Sequence, residues 1–522
     1  MPDSFYITTA IDYVNGQPHL GHAYEKVVTD VMARSRRSLG ERVFFLTGLD
    51  EHGQKVQQAA VAEGLDPQTY CDGLATAWQG MARKLNLTND DFIRTTEPRH
   101  KQVVQAVLAK LHREGRFRLG TYEGWYSPKE ETFLTDKDRL PDGTFPASYG
   151  EVLTLLESNY FFPLQPYQDW LIQHIEANPD FIRPDYRRNE VLGFLRSERL
   201  EDLCISRPKA RLAWGIPLPF DPEYVTYVWF DALTNYVSVP ASMGDARAAG
   251  PLGMPVRDDA PSLWPAVHVI GKDILKFHAV YWPIMLKAAG LEVPRQVIAH
   301  GWWQKDGQKL SKTTGNVVDP IAVVNEWGVD AFRYYVTREL DLGPDGNWTD
   351  SGFAARYQAE LANGLGNLVN RSLKMLKSYR AGRVPGRSED LALDASRAVE
   401  AVVAAYRGFE LQKALTGTWE LVNRANKFVE ETAPFKLAKD PAQGERLDAV
   451  LYSLVEACRI LSVLLWPVMP DTACRIHRQL GLEESPDRFE SARWGGLAEG
   501  HVVGEPEPLF PRRDTVAPPA KK

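Results

Sequence analysis

From Phe5 to Ile11 the chain reads Phe-Tyr-Ile-Thr-Thr-Ala-Ile, an aromatic and β-branched run that predicts a buried strand. The polar segment from Asp12 to Gln17 carries the loop dipeptide Asn15-Gly16. Beyond it Val27, Val28, Val31 and Met32 recur at helical spacing between Gly21 and Leu39, and Gly40 stands where a helix-terminating glycine belongs. Val43-Phe44-Phe45-Leu46-Thr47 predicts a second strand. Strand, helix and strand within about fifty residues form a βαβ unit of a Rossmann-type parallel sheet in an α/β fold, whose ligands sit at the carboxyl ends of strands beside a helix N-terminus.

The same reading organises the rest of the chain. Residues 54 to 62 and 66 to 115 read as helical, and from about 117 to 208 the texture changes to short aromatic strands and turns such as Tyr122-Glu123-Gly124-Trp125-Tyr126 and Tyr160-Phe161-Phe162-Pro163. This is a mid-sheet insertion. Strands are predicted again at 224–230, which delivers Trp229 and Asp231, at 267–270 and at 296–299. From 358 to about 480 the chain becomes a run of amphipathic helices. Projected at about 100° per residue, Leu361, Leu365, Leu368, Val369 and Leu376 share one face, while Asn363, Asn367, Asn370, Arg371 and Lys374 fall on the other. The expected partition is a first sheet half (1–116), a connective insertion (117–222), a second sheet half (223–302), a linking region (303–357), an all-α helical bundle (358–499) and a Pro-rich, extended or disordered tail (500–522).

Composition narrows the picture in three ways. With 522 residues, 44% hydrophobic and 25% charged, the chain is long enough for several cores and is not a disordered polymer. The apolar run from Ile460 to Met469 is too short to cross a bilayer, and Met-Pro-Asp-Ser does not resemble a signal peptide, so a cytoplasmic protein without a membrane partner is expected. Cys71, Cys204, Cys458 and Cys474 form no CxxC pair, which argues against a disulfide framework or a zinc knuckle. A net charge of -7 does not advertise nucleic-acid binding, although a local basic face would suffice.

The candidate chemistry lies at the predicted strand ends. In Pro18-His19-Leu20-Gly21-His22 the two histidines share the first turn of a helix; with the unpaired N–H groups there and a glycine that admits close approach, the turn suits a nucleotide phosphate. Two histidines at a helix start also serve as caps or surface residues. The turn lacks GxGxxG and Walker A spacing. In Thr47-Gly48-Leu49-Asp50-Glu51-His52-Gly53, Asp50 suits a substrate ammonium group or, equally, the cap of the following helix. Gly271 and Asp273 repeat the first turn's logic, with Asp273 suited to ribose hydroxyls. Lys309-Leu310-Ser311-Lys312-Thr313 is a cationic loop suited to the charge that develops as pyrophosphate leaves, or a plain solvated surface loop. The Asn and Arg groups of the 361–377 helix suit base edges or an ordinary polar face.

The order of these pieces, HLGH after the first strand, an insertion, KLSKT after the last strand and then a helical bundle, resembles the class I aminoacyl-tRNA synthetases, with HLGH matching their HIGH motif and KLSKT their KMSKS motif. Ala10-Ile11-Asp12-Tyr13-Val14-Asn15-Gly16, the stretch from Thr47 to Gly53, Tyr227-Val228-Trp229-Phe230-Asp231-Ala232 and Ile270-Gly271-Lys272-Asp273-Ile274 resemble the methionine-specific branch. The resemblance implies an ATP-dependent, AMP-forming ligase that makes methionyl-adenylate and pyrophosphate from L-methionine and charges tRNA(Met). It implies that Asp50 holds the methionine ammonium with Arg207 as charge partner. Ala10, Ile11, Tyr13, Trp229, Ala232, Leu233, Tyr236, Ile274 and His278 then line the side-chain pocket. His19, Gly21 and His22 meet the ATP phosphates, Gly271 and Asp273 the adenosine end, and Lys309 and Lys312 the leaving pyrophosphate, with Mg²⁺ accompanying ATP. Asn367, Arg371 and Phe435 are implied at the anticodon.

Several departures qualify these implications. Leu310 and Thr313 replace a methionine and a serine of the second motif while keeping an apolar side chain and a hydroxyl. The insertion lacks the cysteine set that binds zinc in many family members, so no structural zinc is expected. Phe435 follows Pro434 where relatives often have tryptophan, which leaves less area for stacking. No appended β-barrel follows the bundle, which favours a monomer, and no hydrolytic domain is visible to remove misactivated homocysteine, which a hydrophobic pocket separates from methionine by only about 1–3 kcal/mol. A synthetase for cysteine or a branched-chain amino acid, a noncatalytic RNA-binding scaffold and a simpler nucleotidyltransferase are the competing readings.

Overall fold

A computed structural model describes residues 4–14, 16–128, 132–309 and 317–513. The chain divides into two compact units, one of residues 1–18, 44–81 and 89–300, the other of residues 19–43, 82–88 and 301–522.

The first unit is built on a seven-stranded sheet of β1 (Phe5–Thr9), β2 (Asp12–Tyr13), β3 (Val43–Asp50), β4 (Asp91–Arg94), β5 (Ile182–Arg183), β6 (Val267–Gly271) and β7 (Gln296–His300). The order is β2-β3-β1-β6-β7-β5, with β4 also on β3. The pairs β2·β3, β3·β4, β1·β6, β6·β7 and β7·β5 run parallel. Parallel strands are covered on both faces, and accordingly β6 is buried at every position. Polar side chains inside the sheet are paired: Thr9 and Thr47 Oγ1 lie 2.8 Å apart, and Thr8 Oγ1 lies 2.8 Å from His268 Nδ1.

The predicted insertion is present as an antiparallel sheet of Thr132–Leu134, Arg118–Ser127, Leu153–Phe162 and Leu203–Cys204, and it also returns β5 to the main sheet. The reading of 224–230 as a strand of the main sheet needs correction. A strand ends at Thr226, within a small antiparallel sheet with Ser206–Pro208 and Pro217–Leu218, and a helix, Val228–Met243, begins two residues later. Trp229 and Asp231 are therefore first-turn helical residues. The aromatic run read as a strand because it is buried, and burial alone does not choose between strand and helix.

In the second unit Leu20–Ser38 is a helix, as are Val329–Arg338 and Asn367–Arg380. The amphipathic reading of the 361–377 segment holds: Leu361, Leu365, Leu368, Val369 and Leu376 are buried, while Asn363 and Lys374 are exposed and Asn367, Asn370 and Arg371 are half-buried. The described part of the Pro-rich tail is not free chain. Leu509 and Phe510 are buried, Arg475 Nη1 donates to Leu509 O at 2.8 Å, and Tyr357 Oη donates to Pro511 O at 3.0 Å. No helix among the described residues is long and apolar enough to cross a membrane.

Candidate active site

In the first unit β3 delivers Asp50 at its carboxyl end, nearly buried. Its two successors are pinned on different partners. The Glu51 carboxylate accepts from Arg94 Nε at 2.7 Å and from Thr96 Oγ1, and the Glu51 carbonyl accepts from the Trp214 indole N–H at 2.6 Å. Glu51 is thus a structural anchor. His52 Nδ1 lies 2.6 Å from Asp231 Oδ2. The helix Gln54–Ala62 is capped by Gly53 with φ +116° and no side-chain hydrogen bond, so Asp50 is not spent on capping.

The Val228–Met243 helix carries Trp229, Ala232, Leu233 and Tyr236; Trp229, Leu233 and Tyr236 join Ala10, Ile11 and Ile274 in one apolar cluster, and Ala232 is buried on the same helix. Within it Tyr236 Oη lies 2.7 Å from His278 Nε2, and His278 Nδ1 lies 2.9 Å from Ile274 O. A carbonyl can only accept, so Nδ1 carries a proton, and in the neutral ring Tyr236 donates to Nε2. Behind this pair His268 is fully buried and its pKa lies well below the usual histidine value, because burial disfavours the cation and His278 adds to the effect. Trp282 Nε1 donates to it at 3.2 Å. Trp229 stacks on Phe277 at 3.7 Å between centroids and 11° between planes. Tyr13 pairs with Asp50 across β2 and β3.

Arg207 is buried, donates to Ser206 O at 2.8 Å and Cys204 Sγ at 3.2 Å, and lies 4.4 Å from the Tyr227 ring centroid. At the end of β6 a Cβ on Gly271 would come within 2.6 Å of Asp273 Oδ1, so only glycine lets that carboxylate fold back over the strand end.

In the second unit the HLGH turn forms a capping box. Gly21 N–H donates to His19 Nδ1 at 3.1 Å, and His19 N–H donates to His22 Nδ1 at 3.2 Å. The rings stack at 3.7 Å. Capping and phosphate binding are therefore compatible here: a neutral ring whose Nδ1 accepts must carry its proton on Nε2, the donor that an anionic oxygen needs. Gly21 serves the same fold-back, since a Cβ there would sit 3.1 Å from His19 Cε1. Leu20 N–H donates to Val318 O at 3.2 Å, which ties the HLGH helix to the chain just beyond KLSKT.

The family described as tRNA synthetases class I (M) matches residues 5–151 and 150–373. The methionine–tRNA ligase of Halalkalibacterium halodurans is 42% identical over 531 residues, covering 98% of this chain and 78% of the relative. That of Rickettsia felis is 41% identical over 526 residues, covering 98% and 99%. The chain belongs to the methionine–tRNA ligase family. The solved Mycobacterium tuberculosis methionyl-tRNA synthetase in complex with methionyl-adenylate is 39% identical, with a TM-score of 0.89 over 98% of this chain and 100% of that one.

Other residues expected of a methionine–tRNA ligase are placed less completely. Gln308–Lys309 pairs antiparallel with Trp303–Lys305, Gln304 opposite Lys309, so the KLSKT segment leaves from a strand. Lys312, with Leu310 and Thr313, lies outside the described residues. Asn367 opens the Asn367–Arg380 helix one turn before Arg371. Phe435 is 47% exposed on the short helix after Ala433. Among the described residues no three His, Cys, Asp or Glu side chains converge on a metal position. Sequence reasoning missed Phe277, His268, His100 and the partnership of His52 with Asp231. For the first, stacking on Trp229 gives no periodic signal; for the others, the partners are far apart along the chain.

Proposed function

We propose that this chain activates L-methionine with ATP, forming methionyl-adenylate and pyrophosphate, and transfers the methionyl group to the 3′ end of tRNA(Met) for protein synthesis. The observation that carries the reading is a carboxylate at a strand end, Asp50, with a buried apolar cluster in which the polar ends of Tyr236 and His278 are hydrogen-bonded to each other and to the Ile274 carbonyl. That combination suits an unbranched, weakly polar side chain with an ammonium group beside it.

Asp50 takes the ammonium, with Arg207 as its charge partner. Ala10, Ile11, Tyr13, Trp229, Ala232, Leu233, Tyr236, Ile274 and His278 enclose the thioether. The methionine carboxylate is already ionised and attacks the α-phosphorus in line, so no protein base is needed, and the protein's part is to position reactants and stabilise phosphate charge. The Nε2–H groups of His19 and His22 meet the phosphates of ATP, which enters as its Mg²⁺ complex. Gly271 and Asp273 take the adenosine end, and Lys309 and Lys312 the departing pyrophosphate. Asn367, Arg371 and Phe435 read the anticodon. Every assigned residue belongs to one chain, so a monomer suffices, and the cytoplasm supplies all three substrates.

The test is ATP–pyrophosphate exchange with each of the twenty amino acids in the absence of tRNA. Fast exchange with methionine alone is expected. Exchange driven by another amino acid would overturn the pocket assignment, and no exchange with any would favour the scaffold reading.

A further inference from the structure

Asp231 is fully buried and is met by two imidazoles and by no guanidinium or ammonium among its hydrogen-bond partners in the described residues. His52 Nδ1 lies 2.6 Å from Oδ2 and His100 Nε2 lies 2.6 Å from Oδ1. The far side of His100 is also engaged, with Nδ1 2.9 Å from Ser238 Oγ, and Ser238 Oγ donates its single proton to Thr234 O at 2.8 Å. The His100 ring is thus held from both sides, by the Ser238 hydroxyl and by the Asp231 carboxylate. All four side chains are buried. They join three elements: the backbone just after Asp50, the Pro98–Arg113 helix and the first turns of Val228–Met243.

We propose that the His52–Asp231–His100 relay is the positioning device of the amino-acid site. It locks the strand end that presents Asp50 to the helix that presents Trp229, Ala232, Leu233 and Tyr236, so that ammonium and side chain are recognised at a fixed separation. The other flank of Asp50 is held independently, by Glu51 on Arg94 and Thr96. The His52 ring also lies 5.4 Å from that of Trp214, whose N–H holds the Glu51 carbonyl. With one anchor gone, Asp50 keeps its chemistry but loses its distance to the pocket helix. Misplacement by about 1 Å is worth up to about 10²-fold.

The inference rests on the amino-acid-site reading above, and the two are separable. In pyrophosphate exchange, His52→Leu keeps the volume and removes the donor; it is expected to raise the KM for methionine by about ten- to a hundredfold, with the KM for ATP within about twofold of wild type. His52→Asn returns an amide N–H to the Nδ1 position and is expected to recover most of the loss. His100→Leu should reproduce the same split, and the double variant should lose less than the product of the two. An unchanged methionine KM in His52→Leu, parallel rises for methionine and ATP, or no recovery in His52→Asn would overturn the relay. Should His52→Leu fail to fold, His52→Asn and His100→Leu carry the same comparison. A wild type that responds to a different amino acid would overturn the methionine reading alone, and the relay would then be judged by the KM split for that amino acid.

Discussion

Arg333 is a fully buried arginine with its donors committed: Nε to Val468 O at 2.8 Å, Nη1 to Leu85 O at 3.0 Å, and Nη2 to Pro467 O at 3.0 Å and Asp30 Oδ2 at 2.7 Å. Asp30 is as fully used. Oδ2 also accepts from Arg34 Nε at 2.8 Å, and Oδ1 accepts from the Thr88 N–H at 2.7 Å and its hydroxyl at 2.6 Å. Burial would push the Asp30 carboxyl up, but Arg333 and Arg34 outweigh it and hold it below the usual carboxylate range. The knot ties the HLGH helix to the Val329–Arg338 helix and to the Pro467–Val468 turn, and Asp30 lies about 12–16 Å along that helix from the histidine pair. Arg333→Met removes one partner of a buried pair and orphans three carbonyls, which should cost about 3–5 kcal/mol, or about 10 °C in Tm for a unit of this size. Urea unfolding of wild type, Arg333→Met, Asp30→Asn and the double variant measures it. The double variant, with no charge left uncompensated in the pair, should be destabilised by less than the sum of the single changes. Strict additivity, or a loss below about 1 kcal/mol in Arg333→Met, would refute the view that this pair holds the helix in place.

Other expectations follow from single groups. Lys312→Ala should slow pyrophosphate exchange by about 10²–10³-fold without altering the melting curve, and near-normal exchange would remove Lys312 from the reaction. Tyr236→Phe leaves His278 Nε2 without its 2.7 Å donor, so methionine affinity or stability should fall by about 1–3 kcal/mol, read by titration and by melting. Arg371→Ala should weaken tRNA charging while leaving tRNA-independent exchange intact, and equal loss in both assays would contradict a base-reading role. Burial pushes the Asp330 carboxyl up to about 6, against the Thr472 N–H that it accepts at 2.5 Å. The folded chain then holds a proton that the unfolded chain has released, so stability should fall by about 3 kcal/mol as pH rises from about 4 to 6, and Asp330→Asn should flatten that slope in pH-dependent melts.

What the sequence displayed of the candidate residues is what lies close together along the chain. HLGH is legible because a helix start is a local event: the same few residues supply the cap, the Nε2 donors and the glycine that lets His19 fold back. Asp50 was legible as a candidate, but its neighbours could not be sorted, because the next two polar side chains answer to different distant partners. Glu51 goes to Arg94 and Thr96, and His52 to a carboxylate 179 residues away. Alternation along a strand already implies that Asp50 and Glu51 cannot both face one pocket, yet it does not say which one does. The partner decides, and a partner leaves no periodicity. Trp229 and Asp231 were mistaken for strand residues by the same mechanism, since an aromatic, β-branched run looks alike whether a sheet or a helix core buries it. The tail misled in the opposite sense, because its proline content describes the conformation and not the two apolar side chains, Leu509 and Phe510, that dock it. Periodicity thus reports which face is buried, while chemistry at the site depends on which group the buried face meets. This is why the helix cap built by His19 and His22 is visible in the sequence and the contact of His100 with Asp231 is not.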